Sequence, residues 1–363
     1  MFLRVIDRSL PVTSNFQHVE ARFDVQSFDL FGDMPSIVDA DPVFLIFDLK
    51  VNTDAKRRAV EGVIRRFPDT PAVAIIDVKS KLERVFWNAN GVSALIHKTE
   101  KPDLIVKNIE RVLEEHIRTT ALSPGGIERA VKVCDTALAG MAESVAKRSF
   151  VKDQSVGAAA LHVSTLIDLG REKEWLAQVQ QHHSQTFQHS LLVASVISAF
   201  AKHLALPRSD QAFLTKAALL HDIGKMFVPL EVLDNPGKLS PENHELVKKH
   251  PSNGADFLKR HGCLPRATIE TTRSHHELLD GSGYPDGLSG SQISPLVRVM
   301  TISDVYSALI ERRAYKEAYS PRQALSIMWE MKGKLDPILL KEFSKSVCHA
   351  KMGRVASRPE RVG

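Results

Sequence analysis

Apolar and polar positions change rhythm once along this chain. Over roughly the first 118 residues, short apolar runs alternate with segments of helical spacing. Phe2 to Ile6 is one such run, and Val43 to Phe47 (VFLIF), ending at Asp48, is another. Helical spacing follows at Val60, Val63, Ile64 and Phe67. Ala72 to Ile76 (AVAII) then ends at Asp77, and Val92 to Ile96 (VSALI) leads to Lys98. An amphipathic stretch from Leu104 to Ile117 closes the region, with apolar residues at 105, 109, 112 and 113. Strands alternating with helices predict a parallel sheet covered on both faces. Beyond the turn Ser123 to Gly126 (SPGG), strand-like alternation is absent. Ile127, Val131, Cys134, Leu138, Met141 and Val145 step by four and three. That heptad pattern predicts a helix that either packs into a core or forms a homodimer seam over 127–145. Ser155 to Leu169, stopped by Gly170, reads as another helix, and a long one is expected from Glu172 toward Ala205. The expected fold is multi-domain: an α/β doubly wound parallel sheet over 1–120, a helical linker over 121–170, an all-α domain over 171–347 and a basic, disordered tail over 348–363.

Composition alters this picture little. The 363 residues leave room for two domains, and 43% hydrophobic with 25% charged residues is ordinary for a globular protein. Cys134, Cys263 and Cys348 are scattered, as expected for free or buried thiols in a reducing cytoplasm. The opening MFLRVIDRSL has no long apolar core of a secretory leader, and the apolar run Leu191 to Ala201 is interrupted by serines and too short to span a bilayer. A cytoplasmic protein without a membrane segment is the expectation. Much of the net charge of +5 comes from the tail, where Lys351, Arg354, Arg358 and Arg361 face only Glu360. No basic face with interleaved aromatics is visible, so no nucleic-acid partner is expected.

Candidate chemistry gathers in the helical region. His221 and Asp222 are adjacent at the end of AALLHDIGK, and Gly224 stops the helix. An imidazole beside a carboxylate suits one metal held by nitrogen and a second bridged through the carboxylate oxygens. Gln185 and His189 lie one turn apart on one helix face. His250 precedes Pro251, a residue suited to the first position of a new helix. His275 and His276 open SHHELLDGSGYPDG, and Asp304 lies within RVMTISDVYSALIERRAYK. Five histidines and two carboxylates exceed the needs of one ion, and they divide between two ions bridged by Asp222. Imidazole with carboxylate favours iron, manganese or zinc over calcium or magnesium. Lys225, one turn beyond Asp222, can neutralise a phosphate oxygen or hold a bridging hydroxide.

HDIGK, the HHE…DGSGYPDGL segment and the Asp304 helix followed by Arg313, Ala314, Tyr315 and Lys316 resemble the HD-GYP family of the HD phosphohydrolases. The resemblance covers roughly 175 residues from Gln185 to about Lys345. It implies two or three metals, iron or manganese among them, and hydrolysis of cyclic di-GMP to pGpG and, variably, to GMP. It also implies that His189, His221, Asp222, His250, His275, His276 and Asp304 are metal ligands, that Asp222 and Lys225 are catalytic, and that Arg313 and Lys316 clamp phosphate. Tyr284 can stack on guanine, or the Gly283-Tyr284-Pro285 loop can dock a diguanylate cyclase. Two departures matter: Gln185 stands where three-metal members carry a ligating glutamate, and Ala314 replaces a proline.

The first region resembles a response-regulator receiver, with Asp48 at the phosphoacceptor position and Lys98 at that of the receiver lysine. The acidic pair after the first strand is reduced to Asp7 and Arg8, and Asp77 replaces the hydroxyl residue after the fourth. A carboxylate there repels a phosphoryl group. Three functions stay open at this point: a cyclic di-GMP phosphodiesterase, a sensor or docking module without turnover, and a hydrolase of another phosphorylated nucleotide.

Overall fold

The computed structural model describes residues 2–8, 16–23, 25–32, 44–77, 80–181, 184–233, 235, 237–262, 264–312 and 318–349. The chain forms two compact units, Met1–Thr120 and Ala121–Gly363.

In the first unit the apolar runs become parallel strands: β1 (Phe2–Ile6), β2 (Val25–Asp29), β3 (Phe44–Asp48), β4 (Ala72–Ile76) and β5 (Ala94–His97). Their order is β2-β1-β3-β4-β5, every neighbouring pair parallel. This is the flavodoxin-like order, in which sites form beyond the carboxyl ends of the strands. The helices α1 (Gln17–Arg22), α2 (Asp54–Arg66), α3 (Lys81–Ala89) and α4 (Pro102–Leu122) fall between and after them. Thr53 and Ser80 start α2 and α3 by accepting the amides of Lys56 and Glu83, which satisfies otherwise orphaned donors. Leu3, Val5, Leu45, Phe47, Ala74, Ile76, Val60 and Trp87 share one core. β4 is buried at all five positions, as a central parallel strand requires.

The second unit is helical: α5 (Gly126–Lys147), α6 (Asp153–Asp168), α7 (Glu172–Val179), α8 (Gln185–His203), α9 (Arg208–Leu220), α10 (Leu230–Leu233), α11 (Pro241–Lys248), α12 (His250–His261), α13 (Arg266–Ser274), α14 (Pro295–Ile310), α15 (Pro321–Glu330) and α16 (Pro337–His349). Helix α8 is buried nearly all round and packs on α6, α9, α14 and α16, so it is the axis of the unit. The single helix expected from Glu172 to Ala205 is two helices. Ser184 adopts an extended backbone and its hydroxyl accepts the Phe187 amide, starting α8 afresh.

The stretch read as a helical linker shares the core of this unit. Ile127, Cys134, Leu138, Met141 and Val145 of α5 are buried together with residues of α6, α8, α9 and α14. The heptad face therefore packs within the chain and leaves no seam for a homodimer through 127–145. Among the described residues no helix is long and apolar enough to cross a membrane.

Candidate metal centre

Three histidines of the helical unit stand at helix ends, where the chain can aim a side chain inward. His221 follows α9, His250 opens α12 and His275 follows α13. In each, Nδ1 lies 2.7 to 2.8 Å from the carbonyl three residues back: Ala218, Val247 and Thr272 respectively. A carbonyl oxygen can only accept, so each Nδ1 carries a proton and each Nε2 is the nitrogen turned to the interior. His189 and Asp304 come instead from within α8 and α14, which pack against each other.

A glycine allows these ends to meet. A Cβ on Gly224, in the 3-10 turn Ile223–Phe227 after Asp222, would lie 1.8 Å from the His250 carbonyl oxygen and 2.8 Å from the Gly254 amide. Only a glycine lets that turn press its backbone onto α12, and this approach brings His250 to Asp222.

Asp222 occupies the middle of the group. Its Oδ2 lies 3.2 Å from His221 Nε2 and 3.7 Å from His189 Nε2. Its Oδ1 lies 3.1 Å from His250 Nε2 and 3.8 Å from His275 Nε2. Asp304 Oδ1 is 2.9 Å from His189 Nε2 and 3.8 Å from His221 Nε2, and its Oδ2 is 3.5 Å from His276 Nδ1. Among the described residues, three ligand sets have donor atoms within 4.8 Å of one another: His189 with His221 and Asp304, His250 with His275 and His276, and His221 with Asp222 and His275. All seven ligands expected from the sequence are thus brought together.

Electrostatics fit the group to cations. His250 Nε2 and His275 Nε2 lie 3.2 Å apart. The buried His221 Nε2 has no hydrogen-bond partner. Imidazole nitrogens and carboxylates converging in this way suit a divalent cation, which these side chains would hold together. Burial, together with His276, His221 and His250, pushes His275 well below the ordinary histidine range. Burial likewise pushes His276 down to about 3, against the pull of Asp304. Both rings are therefore neutral, as ligation requires. Burial opposes the charge on Asp222, yet His221 and Lys225 outweigh it and hold the carboxyl well below the usual range. Burial also opposes the charge on Asp304, and the hydrogen bond from His189 leads the contacts that outweigh it. For His189, burial is overcome by Asp304 and Glu311, which raise it to about 9.

Glu277 and Glu311 carried no role in the sequence reading. Glu277 is buried, and its two oxygens accept the amides of Asp286 at 2.6 Å and Leu288 at 2.9 Å. It thereby holds the far side of the Gly283-Tyr284-Pro285 loop, which Arg273 also grips through two 2.7 Å bonds to Asp286. A Cβ on Gly283 would lie 2.4 Å from the Leu278 amide and 2.6 Å from the His276 carbonyl, so the loop can lie this close only with glycine there. The Tyr284 ring lies 4.8 Å from that of His276. Glu277 directly follows the paired histidines, a sequence signal that existed; the placement of Glu311 near His189 depends on packing alone.

Lys225 Nζ donates to Asp222 Oδ2 at 2.6 Å. Gln185 is the first residue of α8, one turn before His189. Arg313 and Lys316, together with Ala314, lie outside the described residues. In the first unit, Asp48 is paired with the buried guanidinium of Arg4, which also bonds Glu20 at 3.2 Å and lies 3.6 Å over the Phe16 ring. Asp7 is paired with Lys56 at 2.5 Å. Lys98 reaches Asp77 at 2.9 Å.

Residues 170–339 match the HD domain family, and the matched stretch contains the seven clustered side chains and the His275–Gly287 segment. The chain is 36% identical over 236 residues to a cyclic di-GMP phosphodiesterase of Pseudomonas aeruginosa, a match covering 65% of this chain and 55% of that protein. It is 39% identical over 146 residues to a 3'3'-cGAMP-specific phosphodiesterase of Vibrio cholerae, covering 40% of this chain and 31% of the relative. The chain thus spans about a third to just over half of the length of these two relatives. Among solved structures, an HDG"Y"P protein from Bdellovibrio bacteriovorus matches the fold with a TM-score of 0.50 at 21% identity, over 67% of this chain and 80% of that one.

Proposed function

We propose that the helical unit is a metal-dependent phosphodiesterase acting on cyclic di-GMP, with pGpG as its main product. The observation that carries this reading is the placement of Asp222: each oxygen of one carboxylate faces a different pair of imidazole nitrogens. That arrangement suits a carboxylate bridging two cations. His189, His221 and Asp304 would hold one, and His250, His275 and His276 the other, with Asp222 between them. Iron or manganese suits these nitrogen and oxygen donors. Such ions polarise a phosphodiester and supply a hydroxide nucleophile near neutral pH.

The remaining roles belong to side chains. Lys225, 2.6 Å from Asp222 Oδ2, has three donors and can turn one toward a phosphate oxygen at the bridge. Tyr284, stacked toward His276, offers its ring to a base, and this inward position supports a substrate role over docking of a diguanylate cyclase. Arg313 and Lys316 supply a guanidinium fork and a point charge for phosphate. Gln185 offers a neutral amide where a carboxylate would recruit a third cation, which favours two ions and slow cleavage of the linear product.

The cGAMP-specific relatives favour one second reading, a mixed cyclic dinucleotide as substrate. The test is purified protein with manganese or ferrous iron, given cyclic di-GMP and 3'3'-cGAMP in separate and mixed reactions and read by chromatography. We expect cyclic di-GMP to be consumed first, with pGpG accumulating. Preference for cGAMP would move the substrate assignment, and no turnover of either would remove the enzymatic reading.

A further inference from the structure

His189 is held differently from the three histidines at helix ends. It lies inside α8, where the carbonyls of the preceding turn are taken by the helix's own amides, and its buried Nδ1 makes no hydrogen bond. What faces that nitrogen is a carboxylate, Glu311 Oε2, at 3.4 Å. Glu311 stands directly after α14, seven residues beyond Asp304, at the extended residue that ends the helix. The two carboxylates meet opposite edges of a single ring: Asp304 on the Nε2 side at 2.9 Å, Glu311 on the Nδ1 side. Glu311 is also buried, at 5% exposure, and a carboxylate taken out of water is costly without a charged or donor partner.

We propose that Glu311 is a positioning residue for His189, a reading that rests on the metal centre proposed above. With a cation bound, its carboxylate would accept the Nδ1 proton, leave the Nε2 lone pair for the ion, and make that nitrogen a stronger donor. It stands in for the i−3 carbonyl that orients His221, His250 and His275. It acts behind the ring rather than on the ion, because the nitrogen it meets is the one turned away from Asp304.

The test is Mn2+ titration of the wild type, Glu311→Gln, Glu311→Ala and His189→Ala, with free ion followed by electron paramagnetic resonance. Melting temperature in chelator checks the fold of each. We expect two ions in the wild type and, in Glu311→Ala, one of them bound about 10- to 100-fold more weakly with the other unchanged. Glu311→Gln keeps an acceptor for Nδ1–H and restores affinity toward the wild type. Adding Glu311→Ala to His189→Ala changes nothing further, because the carboxylate acts only through that ring. Unchanged affinity in Glu311→Ala would overturn the proposal. So would Glu311→Gln binding as weakly as Glu311→Ala, since the carboxylate would then be a ligand in its own right. If Glu311→Ala does not fold, the glutamine variant decides alone. A wild type that binds no ion would remove the proposed function itself, a result distinguishable from either of these.

Discussion

Both units gather aspartates, and the two sets are in opposite chemical situations. In the sheet unit Asp7, Asp48 and Asp77 are matched by Lys56, Arg4 and Lys98. In the helical unit Asp222 and Asp304 are surrounded chiefly by imidazoles. Lysine and arginine occupy a carboxylate permanently, because they stay charged at any ordinary pH. A neutral imidazole adds a second lone pair to the carboxylate's own, and the pair is completed by a cation. Two constellations built on the same acid are thus one closed and one open, and the difference lies in the partner. Lys225 on Asp222 is the exception that keeps one mobile positive charge beside the open site.

The strongest way to break this comparison is Asp222→Ala. It removes the carboxylate whose two oxygens face both imidazole pairs, so both cations should be lost together. We expect activity to fall by more than the roughly 100-fold that loss of an outer partner costs, measured as cyclic di-GMP turnover beside metal content by elemental analysis. Chelation of the wild type should reproduce the loss, and added manganese should restore it. A variant that turns over normally would mean that Asp222 does not bridge.

Gly224→Ala asks whether the open site depends on backbone contact. A Cβ 1.8 Å from the His250 carbonyl has to push α12 away from the Asp222 turn. Overpacking usually costs about 1–3 kcal/mol, and a clash with backbone lies at or beyond the upper end. We expect a lowered melting temperature and selective loss of the ion on the His250 side. Unchanged melting would show that the turn can relax.

Gln185→Glu sharpens the comparison by adding a carboxylate to the open side. The residue begins α8, where a negative charge is also favoured by the helix dipole. The expected outcome is a rise from two to three ions per chain and faster passage of pGpG to GMP. Three ions already bound by the wild type would remove the role given to the amide, and rapid formation of GMP by the wild type would remove the product assignment separately.

Much of this was readable from sequence because the informative residues punctuate elements. Histidines beside Asp222, before Pro251 and before Glu277 mark helix ends, and a helix end is where a side chain can leave the regular pattern. Strands β1, β3 and β4 announced themselves as unbroken apolar runs, as strands buried on both faces must. β2, at the edge of the sheet, has outward positions that are polar, and no run betrays it. The break before α8 was hidden because Glu172–Val179 and Gln185–His203 keep helical spacing on both sides of a short turn. The pairs Glu311 with His189 and Arg4 with Asp48 join residues 122 and 44 positions apart, and no local pattern encodes such contacts.

The smallest effect is expected where a receiver's chemistry would be sought. Phosphoryl transfer to Asp48 needs a free carboxylate oxygen, a divalent cation held by neighbouring acids and a donor for the incoming phosphoryl group. Here Arg4 is bound to Asp48, and its guanidinium is buried, stacked over Phe16 and tied to Glu20, so releasing it would strand a charge inside the unit. Asp7, the acid left to hold a cation, is already matched by Lys56. Lys98, which would meet the phosphoryl group, is engaged by Asp77, itself a like charge to phosphate. Each requirement is met by an internal ion pair instead of by a ligand. Incubation with acetyl phosphate and magnesium should therefore leave the intact mass unchanged, in the wild type as in Asp48→Ala. A phosphoryl adduct on the wild type that disappears in Asp48→Ala would show that these pairs open readily, and the sheet unit would then belong with the open sites after all.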